Sequence, residues 1–515
     1  MTRLNKHSYI SRRDFLKLAS LLPLAKLQLP DFSADIANSP VDASRPNILF
    51  IVFDTLSAAH LPFYGYPRNT APNLARFAGQ STVYHAHYSS GNFTTPGTAS
   101  IFTGAYPWSH RAFNLHGTMQ DEYASRSFFN LLPQEVTKTV YTHNLLVTTL
   151  FRQFQEALDI FKNTRDLCLV DEQYSDWLFP ADSNASYWSE GLILRGGATK
   201  PSSLFLSMAY KMSRLVFKQR LTQQYGHLFP RGVPNLNDTY FVLEDAIDWM
   251  IQELKQLPRP FLGYFHFLPP HEPYTTRRDF IDIFKDNFTP IAKPAHQFTE
   301  GHADQFLNRQ RREYDEYIAY ADAEFGRLMD FLAGHGYFEN SYVIITSDHG
   351  EMFERGIRGH VTRTLYDPVI RVPLLISKPG QKQRQDVFTP TSAVDFLPTL
   401  LHLYGQNVPE WCEGEILPEF GEQEANRERS IFALEAKSSP KLGPITKGTA
   451  IIRKGEHKLI YYFGYGKKQS EFEYYDLSRD PEEMQSLYAS KKSTAEDLRH
   501  ELEEKLRRMN QAYLG

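Results

Sequence analysis

"PNILFIVFDTLS", residues 46–57, decides the fold. A nearly continuous apolar run that stops at Asp54 is how a strand buried on both faces of a parallel sheet reads. Similar runs recur at "FLGYFHF" (261–267), "YVIITSDHG" (342–350) and "RVPLLIS" (371–377). Helical patterns precede two of them: "DTYFVLEDAIDWMIQEL" (238–254) and "YIAYADAEFGRLMDFL" (317–332). The latter puts Tyr317, Ala321, Leu328 and Leu332 on one face. Alternation of this kind predicts a doubly wound α/β sheet. Ligands of such sheets gather at the carboxyl ends of the strands. Asp54 and the pair Asp348-His349 lie at two of those ends, so distant parts of the chain are expected to converge there.

The 515 residues are 42% hydrophobic, enough for a large core in one big α/β domain with a smaller companion. With 56 basic and 60 acidic residues the net charge is −4, which speaks against a nucleic-acid surface. Two cysteines, Cys168 and Cys412, rule out a thiolate zinc cluster and allow at most one disulfide.

"SRRDFLK" (Ser11 to Lys17) reads as a twin-arginine export signal, followed by the short apolar run "LASLLPLA". That run falls short of the roughly 20 apolar residues a bilayer requires. The twin-arginine translocation machinery is thus an expected partner, and the location periplasmic or extracellular, with membrane anchoring the outcome if the signal stays uncleaved. The segment 201–221 mixes apolar and basic residues. A helix covering the pocket or packing on the core is the leading reading there, with peripheral membrane contact the alternative. From about residue 430 the pattern suggests a small antiparallel sheet and a closing helix, "STAEDLRHELEEKLRRMNQAYL".

Asp348 and His349, side by side past a strand, have the chemistry of metal ligands, and Asp54 strengthens that reading. Two carboxylates at neighbouring strand ends repel unless a cation or a proton sits between them. Oxygen ligands with one nitrogen suit one divalent ion, with calcium, manganese, zinc and magnesium all open. "FTTPGTASIFTG" (93–104) places Thr94 in a loop ahead of a helix starting near Ala99, whose N-terminus suits an anion. Taken alone, Thr94, Thr95 or Thr98 reads as a helix cap. His271, in "LPPHEPY", and His360, in "RGIRGHVTRTLYD", both follow strand ends near the expected site.

These segments carry a resemblance. "PNILFIVFDTLS", "YGYPRNTAPNLARFA", "FTTPGTASIFTGAYP", "FLPPHEPY", "YADAEFGRLMDFLAGHGYFENSYVIITSDHGE", "LYDPVIRVPLLISKPG", "TSAVDFLPTLLHLYG" and "YYDLSRDPEE" occur in the order seen in the sulfatase family of the alkaline phosphatase superfamily. The resemblance implies an α/β sandwich with a large, mostly parallel central sheet flanked by helices and a small C-terminal antiparallel sheet. It also implies a metal site and hydrolysis of sulfate or phosphate esters. The expected organisation is a signal and linker over 1–43, a catalytic domain over 44–425 with an insertion at about 144–235, and a C-terminal subdomain over 426–515.

The departures from the family pattern are specific. Sulfatases carry Cys or Ser in C/S-x-P-x-R, and this residue becomes formylglycine. Here Pro96 and Thr103-Gly104 set a register with Thr94 at the nucleophile position and Thr98 where the arginine belongs. The family's "GKWH" region reads "VYTHNLLV", the lysine expected four residues before Tyr366 is Thr362, and the aspartate expected beside Asp54 is Thr55. These changes resemble phosphoethanolamine transferases and lipoteichoic acid synthase, which use a metal-bound threonine and an H-x-P-[FY] histidine. The resemblance implies a metal held by Asp54, Thr94, Asp348 and His349, with Thr94 attacking a small anionic ester and His271 beside it; His360, by its place after the Asp-His pair, joins His271 as a candidate for stabilising charge or supplying a proton. A phosphotransferase, or a binding protein on an inactive enzyme fold, are the alternative readings.

Overall fold

The strand expected at 46–57 is the central one of an eight-stranded sheet. In the computed structural model the described residues are 45–115, 117–162, 164–169, 204–236, 239–421, 426–466, 470–490 and 493–514. The twin-arginine segment and residues 201–203 of the basic-apolar stretch lie outside them. In chain order the sheet strands are β1 (Asn47–Phe53), β2 (Thr82–Tyr84), β3 (Thr137–Thr142), β4 (Ile160–Lys162), β5 (Phe261–Phe267), β6 (Ser341–Thr346), β7 (Leu374–Ser377) and β8 (Gln385–Val387). Their spatial order is β8-β2-β7-β6-β1-β5-β3-β4. Strand β1 pairs in parallel with β6 on one side and β5 on the other. Strand β7 alone runs against the others, antiparallel to both β6 and β2.

Alternation along β1 splits the core into two layers. Leu49, Ile51 and Phe53 pack on helices α1 (Pro72–Ala78), α5 (Leu243–Gln256) and α6 (Asp304–Gly334). Ile48, Phe50 and Val52 pack on α2 (Thr94–Thr103), α3 (Leu145–Phe151) and α7 (Phe396–Leu403). All seven residues of the strand are buried, so both its faces require apolar side chains. Phe50 meets Phe396 edge to face at 4.8 Å and Tyr264 at 5.3 Å. Truncating it to alanine would cost about 3–5 kcal/mol.

Several local expectations shift. The helix expected from Asp238 begins only at Leu243, because Thr239–Phe241 forms a short strand. The helix expected at 317–332 is part of the 31-residue α6. Residues 145–162, expected in an insertion, include α3 in the core and edge strand β4 of the main sheet. Helix α4 (Leu204–Tyr225) buries Phe217 and Leu221 and leaves Leu204, Met208, Met212 and Leu215 exposed. No described helix is long and apolar enough to cross a membrane. Cys168 and Cys412 are both free.

A four-stranded antiparallel sheet follows, β9 (Ser430–Glu435), β10 (Gly448–Lys454), β11 (His457–Phe463) and β12 (Ser470–Asp476). Leu498, Leu502 and Leu506 of α8 (Ser493–Gln511) cover one face together with Trp108. The other face, through Ile431, Ile451 and Ile460, packs against Tyr88, Leu365 and Tyr366. Buried Lys458 of β11 joins Asp367 (2.7 Å) and Glu483 (2.6 Å) at this junction.

Candidate active site

Parallel strands deliver their carboxyl ends to one edge, and here four such ends supply the polar cluster. Asp54 follows β1, His143 and Asn144 follow β3, His271 follows β5, and Asp348-His349 follow β6. Asp54, Asp348 and His349 are fully buried and offer ligand atoms that all lie within 4.8 Å of one another. His349 Nε2 stands 3.5 Å from Asp54 Oδ1 and 3.5 Å from Asp348 Oδ2. Its Nδ1–H donates to the Gly350 carbonyl at 3.0 Å, so Nε2 carries the lone pair.

That arrangement fits a cation. A lone pair facing two carboxylate oxygens in a dry pocket is repulsive without positive charge between them. Asp54 Oδ1 and Asp348 Oδ2 are both buried with no hydrogen-bond partner. Burial pushes Asp348 above the usual carboxylate range, and the charge of Asp54 adds to this. Burial acts in the same sense on Asp54, but the His266 hydrogen bond and the fields of His271, His266 and His349 hold it well below the usual range. Burial holds His349 below the ordinary imidazole value, keeping it a neutral donor.

Thr94 is the first residue of α2, not a loop residue, and the helix starts five residues ahead of the expected Ala99. Neither Thr94 nor its neighbours cap the helix, since Phe93 occupies the cap position without a side-chain bond. Thr94 Oγ1 lies 3.5 Å from His349 Nε2 and accepts from Asn144 Nδ2 at 3.2 Å. The hydroxyls of Thr95 and Thr98 are buried without partners. Gly97 seats the helix: a Cβ there would stand 2.2 Å from the Asp348 carbonyl oxygen. Thr55 takes a left-handed φ of 62°, uncommon for a β-branched residue. It is held there by Tyr314 Oη donating to its carbonyl (2.6 Å) and by its own N–H donating to Asp348 Oδ1 (3.3 Å).

His360 and His271 reach the same cluster. The His360 ring centroid is 4.5 Å from that of His349 and 4.9 Å from that of His271. His360 Nδ1–H donates to Glu351 Oε1 at 3.1 Å, leaving Nε2 free, and burial pushes this histidine down to about 3. His271 Nδ1–H donates to the Glu272 carbonyl at 2.6 Å. Although burial opposes its charging, the Asp54 carboxylate raises its affinity for a proton above the ordinary value. Of the two, His271 holds a proton more readily than an ordinary imidazole, whereas His360 stays neutral.

Sequence reasoning missed Asn144, His266 and Glu351. Asn144 Nδ2 donates to Asp54 Oδ2 at 2.6 Å as well as to Thr94, while its Oδ1 caps α3 by accepting from Leu146 N. A capping residue two steps past a strand end is a readable signal, but it points to the helix rather than the acid. His266, 3.3 Å from Asp54 Oδ2, is concealed within an apolar strand run.

The sulfatase family model matches residues 46–406, and that of the N-sulphoglucosamine sulphohydrolase C-terminal region matches 358–512. Choline-sulfatase of Rhizobium meliloti is 25% identical over 479 residues, covering 86% of this chain and 82% of that protein. The structure of the phosphonate monoester hydrolase of Agrobacterium radiobacter superposes with a TM-score of 0.62 at 19% identity, covering 90% of this chain and 95% of that one. A protein solved with its substrate D-glucosamine-2-N,6-O-disulfate superposes with a TM-score of 0.61 at 18% identity, covering 90% and 98%. The matched span includes Asp54, Thr94, His271, Asp348, His349 and His360, and on that ground this chain belongs to the sulfatase family of ester hydrolases.

Proposed function

We propose that this protein is an exported, metal-dependent hydrolase of phosphate or sulfate esters, with phosphate esters favoured, in which Thr94 is the nucleophile. The supporting observation is the Thr94 hydroxyl at a helix N-terminus, 3.5 Å from His349 Nε2 and bridged through Asn144 to Asp54. Asp54, Asp348 and His349 would hold a divalent ion, with Thr94 beside them. Such an ion would supply Lewis-acid polarisation and lower the pKa of a nearby hydroxyl.

The protein's own groups then account for the chemistry. Thr94 Oγ1 gives its proton to solvent and attacks in line, recovering a proton from solvent when its ester is later broken, and Asn144 Nδ2–H keeps that oxygen oriented throughout. The leaving alcohol takes its proton from His271, whose proton affinity is raised. Water then attacks the phosphorus of the threonine ester, giving its proton to the now neutral His271 and freeing Thr94. His360, its Nδ1–H fixed by Glu351 and its ring kept neutral by burial, packs beside His271 and His349 and leaves the proton transfers to His271. An ordinary hydroxyl ester of phosphate can be resolved by water in this way. The expulsion of sulfate from a formylglycine hydrate is not open to threonine, hence the preference for phosphate.

The same reading includes export through the twin-arginine signal at Ser11 to Lys17, and peripheral contact of α4 with a membrane through its exposed Met208, Met212 and Leu215. The deciding experiment assays purified protein on aryl phosphate, phosphodiester and aryl sulfate, alongside elemental analysis of wild type and Asp348→Asn. Metal in the wild type, its loss in the variant and turnover only in the former support the proposal. Active but metal-free wild type defeats it. Glyceryl products with added glycerol would convert the assignment to a transferase, and absence of turnover on all three esters would favour a binding protein.

A further inference from the structure

Helix α4 is apolar on two opposite faces, and the fold buries only one of them. Phe217 and Leu221 pack against Val233 and Tyr240. Just past the helix, the carbonyls of His227 and Leu228 accept from Arg278 Nε (2.6 Å) and from the Arg278 N–H (2.7 Å). The helix is thus anchored along its inner face and at its end. On the outer face Leu204, Met208, Met212 and Leu215 recur at i, i+4, i+8 and i+11, so they form one stripe. Each is between 52% and 59% exposed, and half-exposed Val216 widens the row. Single apolar residues are normal on a surface, whereas a contiguous row of them marks a contact.

The charges around the stripe have one sign. Residues 191–237 contain no Asp or Glu. Lys211 and Lys218 lie one heptad apart along one border of the stripe, and Arg220 stands one turn beyond Val216 along the other. All three are exposed, and among the described residues none of them has an ion-pair partner. Arg214, the remaining cation of the helix, is instead folded inward over Phe217 at 5.4 Å and Tyr240 at 5.9 Å. An apolar row bordered by cations fits a surface that is apolar within and anionic outside, which is a bilayer with acidic head groups. A nucleic acid would leave the apolar row in water. A second copy meeting the first through this face would set like charges against each other.

We infer that α4 is a docking helix for anionic membranes. Leu204, Met208, Met212 and Leu215 enter the head-group boundary, while Lys211, Lys218 and Arg220 meet the lipid phosphates. This rests on the membrane contact proposed above and adds to it the class of lipid and the residues that select it. Apolar burial and charge attraction act together at such a face, so the association is reversible and weakens as salt screens the cations.

The test is sedimentation of the full chain with sucrose-loaded vesicles, of phosphatidylcholine alone or with about 30% phosphatidylglycerol. Wild type should bind the charged vesicles at least tenfold more tightly than the neutral ones. Raising salt from about 0.05 M to about 0.5 M should weaken that binding at least tenfold. Lys211→Glu with Lys218→Glu should abolish the preference for phosphatidylglycerol. Met208→Ser with Met212→Ser should weaken binding to the charged vesicles at least fivefold. Both pairs are exposed, so both variants should melt with the wild type. Equal, methionine-dependent binding to the two kinds of vesicle would keep the membrane contact and overturn the anionic partner. Binding that neither pair alters, or no binding at all, would overturn the contact of α4 as well. Self-association without vesicles, abolished by the methionine pair, would give the stripe to a second copy and overturn the proposal. The ester-hydrolase reading stands or falls separately, on aryl ester turnover measured without vesicles.

Discussion

The main-chain carbonyl of Asp348 lies where a side chain on Gly97 would have to be, 2.2 Å from the position of its Cβ. Helix α2 therefore rests directly on the backbone of a candidate ligand, and this contact sets the distance from Thr94 to His349. Gly97→Ala should displace the helix from the acids. The expected result is a fall in turnover of more than a hundredfold, with a stability loss of about 1–3 kcal/mol typical of overpacking. Chemical denaturation and steady-state kinetics on one preparation check this, and an alanine variant with wild-type kcat would show that α2 is not seated by that contact.

Thr94→Ala should cost several orders of magnitude in rate, on the order of 4 kcal/mol or more of barrier. Thr94→Ser keeps the oxygen and should retain part of the activity. Thr95→Ala and Thr98→Ala should cost far less, since neither hydroxyl contacts the acid cluster by hydrogen bond. Near-full activity in Thr94→Ala would remove the threonine from the chemistry while leaving the acidic group intact.

Asn144 has two duties that one substitution can separate. Asn144→Ser preserves a good cap for α3 but is too short to span Asp54 and Thr94. The variant should melt within a few degrees of wild type and bind the same amount of metal, yet turn over at least tenfold more slowly. Asn144→Ala should add a loss of about 0.5–2 kcal/mol in stability from the missing cap. A serine variant with unimpaired kcat would confine Asn144 to capping.

The strands and their acids are legible because burial on two faces leaves an unbroken apolar run, and Asp54 and Asp348 each interrupt one. Asn144 and His266 are not legible in that way. Asn144 looks like any helix cap, and His266 is one polar residue inside "FLGYFHF", whose role depends on which strand lies beside it. The start of α2 is not legible in the sequence, because Pro96 and Gly97 have the character of loop residues. Pro96 is instead accommodated in the first turn, where no amide donor is needed, and Gly97 meets a packing demand set 251 residues away in sequence by Asp348. The edge role of residues 160–162 had no signal, since three residues are too few to show a period.

Burial raises Glu483 to about 7, partly offset by Lys458. The folded state therefore holds a proton that the unfolded chain releases near 4.5, so stability should decline as pH rises from 5 to 8. Glu483→Gln, having no proton to lose there, should show a flatter dependence. Denaturation midpoints of both proteins at pH 5 and pH 8 check the sign, and a wild type that gains stability over the variant on going to pH 8 would contradict it.

Arg12→Lys with Arg13→Lys should leave the protein in the cytoplasm, because the pathway reads the arginine pair as an address. Fractionation followed by immunoblotting measures this, and an unchanged periplasmic yield would refute the assigned route.

Strand β1 is among the first described elements to be synthesised and sits at the centre of the sheet, yet both its partners come late, at Phe261–Phe267 and Ser341–Thr346. At about 5–20 residues per second, roughly 10–40 s elapse before even the first partner is made. Throughout that interval a seven-residue strand, apolar from Ile48 to Phe53, is exposed outside the ribosome with both hydrogen-bonding edges open. Chaperones that shield extended apolar segments should therefore raise the yield of this chain, and recombinant yield should respond more to a slower, cooler expression regime than to any change at the surface of the finished protein.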